Sequence, residues 1–193
     1  MTAKPTGGPV PTGKSTVEQI DGYLKRRGVH QEFTFSISKG ELWSLISRPG
    51  NLNDCHPFCK DNQALEWNES GHRDRLEYLG GRTYVRQFLN WNEESGYDLI
   101  IGEENGPQSY VVWQLTELSD NQSSLSITVY PYLLAGLSKA ISYLPFMLYI
   151  RPKLRSYLKS VLRGFDYYIE HNQPVPRNNW GKHSWFSLSL IHI

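Results

Sequence analysis

The chain of 193 residues is poor in cysteine, with two, and its formal net charge is only +1. Cys55 and Cys59 are too few for the disulfide framework of a small secreted domain. Near-neutrality excludes the strong basic excess of a nucleic-acid-binding domain, so no nucleic acid is expected as a partner. The first residues, Met1 to Ser15, lack the apolar core of a signal peptide. Together with the cysteine usage this makes a reducing, cytoplasmic setting the expectation, with peripheral contact to a membrane as an option. A clean run of ~20 apolar residues, the length of a membrane span, is also missing. The nearest candidate, Leu133 to Ile150, holds Lys139 and is interrupted by Pro145.

Catalytic signatures are equally scarce. Gly8, Gly13, Lys14 and Ser15 match the phosphate-loop pattern G-x-x-x-x-G-K-S. That loop needs a preceding strand and a run of backbone N–H donors, whereas Pro9 and Pro11 remove two donors and no strand precedes them. The segment reads instead as a disordered leader, residues 1–14. Cys55, His56 and Cys59 form a compact C-H-x-x-C cluster. A structural zinc site needs four ligands, and no other histidine stands at a paired spacing, so no metal and no cofactor are expected. Asp54 and His56 are the weak candidates for an acid–base pair, although an i, i+2 spacing does not aim them at each other on a helix. Glu66, Arg86 and Glu103 are expected on a solvated sheet face.

What is abundant is aromatic and apolar surface in an ordered pattern. Aromatics make up 13% of the chain, including six Trp and twelve Tyr. Thr16 to Arg27 predicts a short helix within residues 15–29, opened by a Ser15–Glu18 capping box and stopped by Gly28. His30 to Ser38 alternates as a strand. Lys39 to Ser47 and Asn51 to Cys55 follow as two small helices. Six further strands, about Gln63–Glu69, Arg73–Leu79, Thr83–Trp91, Tyr97–Glu103, Gln108–Leu118 and Ser123–Tyr130, are separated by short polar turns, with Gly80-Gly81 as a two-residue hairpin. In the last, Leu125, Ile127 and Val129 alternate with Ser124, Ser126 and Thr128, so one sheet face is buried.

After the strands, Leu133, Leu137, Ile141, Leu144 and Leu148 keep a helical step through a segment apolar nearly all round. Leu154, Leu158, Val161, Phe165 and Ile169 then form one face of a basic amphipathic helix. Pro145 and Pro152 are expected to divide this region. A polar and aromatic tail, residues 173–193, ends the chain and could dock as an extra strand or on another chain.

This order resembles the START-like helix-grip superfamily (SRPBCC), with its polyketide cyclase/dehydrase and lipid-transport branch. The resemblance covers residues 30–172 and rests on topology, on the stretch from Lys39 to Asn51 after the first strand, on Phe88 to Asn92, and on the terminal helix. It implies an α+β fold in which a curved antiparallel sheet of about seven strands wraps a long C-terminal helix around a deep cavity. Trp43, Phe58, Trp67, Val111, Trp113, Leu115, Ile127, Val129, Phe146, Tyr149 and Leu158 fall where that cavity is expected. Leu133, Leu134, Leu137, Ile141 and Leu144 are the candidate lid or membrane contact, and Arg155, Lys159 and Arg163 the candidate contact with an anionic surface. The expected function is binding or transport of a hydrophobic small molecule or lipid. One alternative is a cyclase/dehydratase-type enzyme acting on a polyketide-like or other apolar substrate. A second alternative is a membrane-surface or homodimer module built on residues 133–150.

Overall fold

A computed structural model describes residues 16–187, with side chains from residue 18 onward. The leader with its phosphate-loop pattern, Ser15 of the expected capping box, and Leu188, Leu190 and Ile191 of the tail lie outside the described residues.

Alternation of apolar and polar residues gives seven strands: β1 (Val29–Phe35), β2 (Cys59–Asn68), β3 (Gly71–Tyr78), β4 (Thr83–Asn92), β5 (Gly96–Gly102), β6 (Gln108–Ser119) and β7 (Gln122–Tyr130). They form one antiparallel sheet in the order β1-β7-β6-β5-β4-β3-β2. Every neighbouring pair from β2 to β7 is sequential, as short hairpin connections require. Register shifts after Cys59 and Ala64 on β2 and after Phe88 on β4 bend the sheet locally. The Gly80-Gly81 turn is slightly wider than a two-residue hairpin, because the last ladder pair is Glu77 with Thr83 and the Tyr78 N–H donates to the Arg82 carbonyl at 2.8 Å. Gly81 supplies the positive φ of +85° that this loop needs.

The two sheet faces have different covers. Leu99, Val111, Trp113, Ile127 and Val129 share the inner face and pack with Leu154, Leu158, Val161, Leu162 and Phe165 of the last helix, α5 (Arg151–His171). Ile100, Tyr110 and Val112, one step out of phase, point to the outer face. There they meet Ile20 and Tyr23 of α1 (Thr16–Leu24). Gly164 permits the close approach of α5 to α3 (Leu52–Cys55), since a Cβ there would stand 2.0 Å from the Cys55 carbonyl oxygen. A complete capping box between Ser38 and Glu41 opens α2 (Lys39–Ser47). The curved sheet gripping one long C-terminal helix, with small helices after the first strand, is the expected helix-grip arrangement.

The connection into the last helix differs from expectation. Residues 131–142 form successive turns rather than a helix, with Leu134 in the left-handed region at φ +64°. The helical path begins at α4 (Tyr143–Pro145), widens through a π turn at Phe146–Ile150 and continues directly into α5. The two prolines therefore do not divide it. Pro145 lies in the first turn, where an amide hydrogen has no helical partner. Pro152 cannot donate to Leu148 and its ring crowds that carbonyl. The widened turn accommodates it, with the Arg151 N–H reaching back to the Phe146 carbonyl. Asn172, at φ +50°, ends the helix by donating its N–H to the Tyr168 carbonyl at 2.8 Å.

Among the described residues, the tail as far as residue 187 docks as turns on its own chain. Val175 N–H donates to the Asp54 carbonyl at 2.8 Å, and Gly80 N–H donates to the Phe186 carbonyl at 2.9 Å. Phe186 then stacks on Tyr78 with ring centroids 4.4 Å apart.

Candidate functional site

A cavity of about 250 Å³ lies between the inner sheet face and α5. Its body is apolar, walled by Leu76, Leu99, Val111 and Ile127 from the sheet and by Leu154 and Leu158 from the helix. The lining residues that remain open to solvent mark its mouth. They include Tyr149, which is 55% exposed, and the half-buried Arg82, Tyr132, Leu133 and Trp185; Ile101 and Tyr157 of the wall are half-buried as well. Trp185 Nε1–H donates to Tyr149 Oη at 3.5 Å, so the tail ties to the helix start across the opening.

One part of the wall is polar. Asp74 on β3 and Arg86 on β4 are directly opposite in register. They form a two-pronged ion pair, with Arg86 Nε on Asp74 Oδ1 at 2.8 Å and Nη2 on Oδ2. Arg86 is 3% exposed and Asp74 0%, yet Arg86 lines the cavity. Burial works against the guanidinium charge, but the adjoining carboxylate more than offsets it and holds Arg86 firmly protonated.

His56 follows α3 at the same part of the wall, and its ring state can be derived. Burial, with a smaller push from the Arg86 and Arg177 charges, lowers its pKa to about 3, so the ring is neutral at ordinary pH. Phe58 N–H donates to Nδ1 at 3.1 Å, which places the ring proton on Nε2. Nε2–H therefore donates to Tyr157 Oη of α5 at 2.9 Å. Tyr157 Oη lies 3.1 Å from Tyr78 Oη. Burial raises both phenols well above their ordinary range and keeps both hydroxyls protonated.

The positions expected at the cavity divide. Val111, Trp113, Ile127, Val129, Tyr149 and Leu158 lie on its wall. Phe58 sits behind it, its ring stacked 5.9 Å from Tyr157. Trp43 and Trp67 do not line the cavity; each meets Trp91 edge-on toward the other end of the sheet, and Trp43 reaches the cavity wall only through Tyr97, which stacks on Trp113. Leu115 is buried in the main core, and Phe146 faces a second hollow of about 570 Å³ between α1 and residues 131–146. Strand parity puts Trp67 and Leu115 on the right face, but near the wrong end of their strands.

Asp54 and His56 are not brought together: Asp54 pairs with Arg48, while His56 turns to Tyr157 and Phe58. Cys55 and Cys59 are buried free thiols, with burial pushing Cys59 up to about 12 and Cys55 higher still. Among the described residues no group of three or more His, Cys, Asp or Glu side chains is placed to hold a metal ion.

Of the candidate lid, Leu133 and Leu134 are partly buried, whereas Leu137, Ile141 and Leu144 are 49%, 66% and 63% exposed. Arg155 and Lys159 are exposed; Arg163 is half-buried, its guanidinium 4.6 Å from the Trp180 ring. No helix among the described residues is long and apolar enough to cross a membrane.

Of the three strand-borne charges expected on a solvated face, Arg86 lies in the interior instead. It shares strand parity with the buried Tyr84, and Asp74 shares it with Leu76 and Tyr78, so alternation carried the signal. Glu66 and Glu103 are exposed as expected. Tyr78, Tyr157, Trp185 and Phe186 were not singled out as cavity residues either.

No protein-family model matches the sequence, and no curated protein matches it. Solved structures do resemble its fold. A START superfamily protein from Mycobacterium smegmatis aligns with a TM-score of 0.56 at 11% identity, covering 76% of this chain and 99% of that one. The di-domain ARO/CYC BexL of the BE-7585A biosynthetic pathway aligns at 0.59 and 10% identity, over 75% of this chain but 46% of BexL. CalU16 from Micromonospora echinospora aligns at 0.54 and 15% identity, covering 76% of this chain and 78% of its own. With the sheet order, the gripped helix and the cavity between them, these likenesses establish that the chain has the START-like helix-grip fold.

Proposed function

We propose that this protein binds a hydrophobic small molecule or lipid in its internal cavity and carries it. The observation that carries the reading is the cavity itself, walled mainly by aliphatic and aromatic side chains, opened at Tyr149 and carrying a minority of polar groups, among them His56, Arg86, Arg82 and Ser109. Such a composition suits an apolar body fixed by a few polar contacts. The test is calorimetric titration with 2-ethylnaphthalene, a neutral probe, of wild type and of Val111→Trp, which fills the wall from β6. Uptake by wild type and its loss in a folded Val111→Trp variant support binding in the cavity. Uptake unchanged by the substitution contradicts it.

A second reading, a cyclase/dehydratase-type enzyme on a polyketide-like or other apolar substrate, draws on one observation: His56, Tyr157 and Tyr78 form a hydrogen-bonded series on the cavity wall. A phenol there could hand a proton to a substrate oxygen. The likeness in fold to BexL, an ARO/CYC protein of a biosynthetic pathway, points the same way. Product formation that depends on Tyr78 and Tyr157 would favour this reading over carriage alone.

The surface beside the mouth fits contact with an anionic lipid surface. Ile141, Leu144 and Leu148 project at 66%, 63% and 76% exposure. The helical step from Leu144 and Leu148 leads on through Pro152 to the exposed Arg155 and Lys159. An apolar tip followed by cations complements acyl chains below and phosphates above.

A further inference from the structure

The second hollow, about 570 Å³ between α1 and residues 131–146, is lined quite differently from the internal cavity. Lys25, Arg26, Arg27 and Lys139 bring four cations to it, and Glu18 brings one carboxylate. Among the described residues no ion pair joins any of these four cations to a carboxylate. Its volume is that of an ordinary small-molecule site, for which roughly 300–1,000 Å³ is usual.

Both arginines are held in place without being neutralised. Arg26 Nη1 donates to the Gln108 carbonyl at 2.8 Å, and its guanidinium lies 4.4 Å from the centre of the Tyr23 ring. Arg27 Nη2 donates to the Lys139 carbonyl at 2.8 Å, with its guanidinium 5.0 Å from the centre of the Tyr143 ring. Each carbonyl takes one of the five N–H groups that a guanidinium offers. Arg27 Nε is buried and has no hydrogen-bond partner among the described residues. Burial works against the Arg26 charge and lowers its pKa, a cost that an anion in the hollow would offset. Leu133, Leu134, Leu137 and Phe146 give the same hollow an apolar wall.

We propose that this hollow binds a phosphate monoester carrying an apolar chain, with the phosphate on the two arginines, Lys25 and Lys139, and the chain against Leu133, Leu134, Leu137 and Phe146. Four cations against one carboxylate select an anion. A carboxylate brings one charge and two oxygens, whereas a phosphate monoester brings a charge of about −1.5 to −2 and three acceptor oxygens, and so matches more of the donors. The leucines select an ester with an alkyl chain over the free ion. Two sources share this chemistry, the headgroup of a membrane lipid and a soluble alkyl phosphate.

Isothermal titration calorimetry of the whole chain with hexyl phosphate, inorganic phosphate, hexanoate and 1-hexanol tests this. Hexyl phosphate should bind at least about tenfold more tightly than each of the other three, which lack the chain, the second charge or all charge. Lys25→Glu with Lys139→Glu should weaken it at least about tenfold. Both side chains are exposed and make no hydrogen bond among the described residues, and the Lys139 carbonyl that holds Arg27 is untouched, so the fold should survive. Val111→Trp, which fills the internal cavity, should leave hexyl phosphate binding unchanged. Phosphatidylcholine vesicles containing phosphatidic acid then separate the sources: displacement of hexyl phosphate assigns a membrane lipid, no displacement assigns a soluble ester, and both uphold the site. A hexyl phosphate that does not bind, or that binds no better than any of the simpler probes, overturns the proposal. So does binding that survives the charge reversal or is lost in Val111→Trp. The internal-cavity reading is tested separately by 2-ethylnaphthalene and does not depend on these results.

Discussion

Removing Asp74 alone should be among the most damaging single changes in the sheet. Asp74→Leu leaves the Arg86 guanidinium, whose side chain is 4% exposed, without its carboxylate. Stranding one member of a buried pair typically costs about 3–5 kcal/mol, because the remaining charge keeps its desolvation penalty and loses its compensation. Arg86→Met should cost about as much, by stranding the Asp74 carboxylate. Replacing both residues removes both buried charges, so the double variant should lie within about 1 kcal/mol of wild type or above it. Against a total stability of about 5–15 kcal/mol, each single change removes a large fraction. Urea unfolding followed by fluorescence reads this directly. With a slope of about 2 kcal/mol per molar, each single variant should lose about 2 M in midpoint and the double variant little. Single variants within about 0.5 kcal/mol of wild type, the range of an ordinary surface change, would refute the reasoning. So would a double variant that loses the sum of the two.

His56 makes stability depend on pH. Its folded pKa of about 3 lies below the ordinary 6.5, so between these values the unfolded chain binds the extra proton and stability falls as pH falls. The His56 contribution is whole above about pH 6.5 and is lost by up to about 1.4 kcal/mol per pH unit below it, a slope that His56→Gln should reduce relative to wild type; parallel curves of unfolding midpoint against pH would contradict the assignment. Gly164→Ala should destabilise by about 2 kcal/mol despite the better helix propensity of alanine, because its Cβ meets the Cys55 carbonyl at 2.0 Å; a neutral or raised thermal midpoint would show that α5 and α3 separate freely. Leu144→Glu with Leu148→Glu should leave the fold intact and abolish co-sedimentation with vesicles containing anionic phospholipid. A wild type that ignores such vesicles, or a dimer dissolved by the same two changes, would assign that surface to another partner.

Most of the architecture was legible because each strand of the meander alternates and each turn is polar. β7 is the clearest case: Leu125, Ile127 and Val129 line one face, with Ser124 and Thr128 opposite. The segment at 131–142 was not legible, since a step of three and four between leucines is necessary for a helix but does not forbid a left-handed residue at Leu134. The π turn was hidden for a related reason. Pro152 predicts a break when a local widening also satisfies its geometry.

The site was half legible. Parity identifies the inner face, and so finds Val111, Trp113, Ile127 and Val129, but it does not say how far along each strand the cavity extends. Trp43 and Trp67 lie beyond its end, packed into aromatic neighbours. Charge misled in the opposite direction. Arg86 was assigned to solvent for being charged, although parity placed it beside Tyr84, and its partner Asp74 sits across a ladder that sequence reading does not register. The tail residues Trp185 and Phe186 reach the cavity through tertiary packing alone, which no local period encodes.

The most direct test of the central claim is native mass spectrometry of this protein purified from its own host, set beside the Val111→Trp variant prepared identically. The account predicts a co-purified adduct of one small apolar molecule on wild type, and none on the filled variant. Wild type that emerges bare and also refuses 2-ethylnaphthalene, or an adduct that persists unchanged on Val111→Trp, would contradict it.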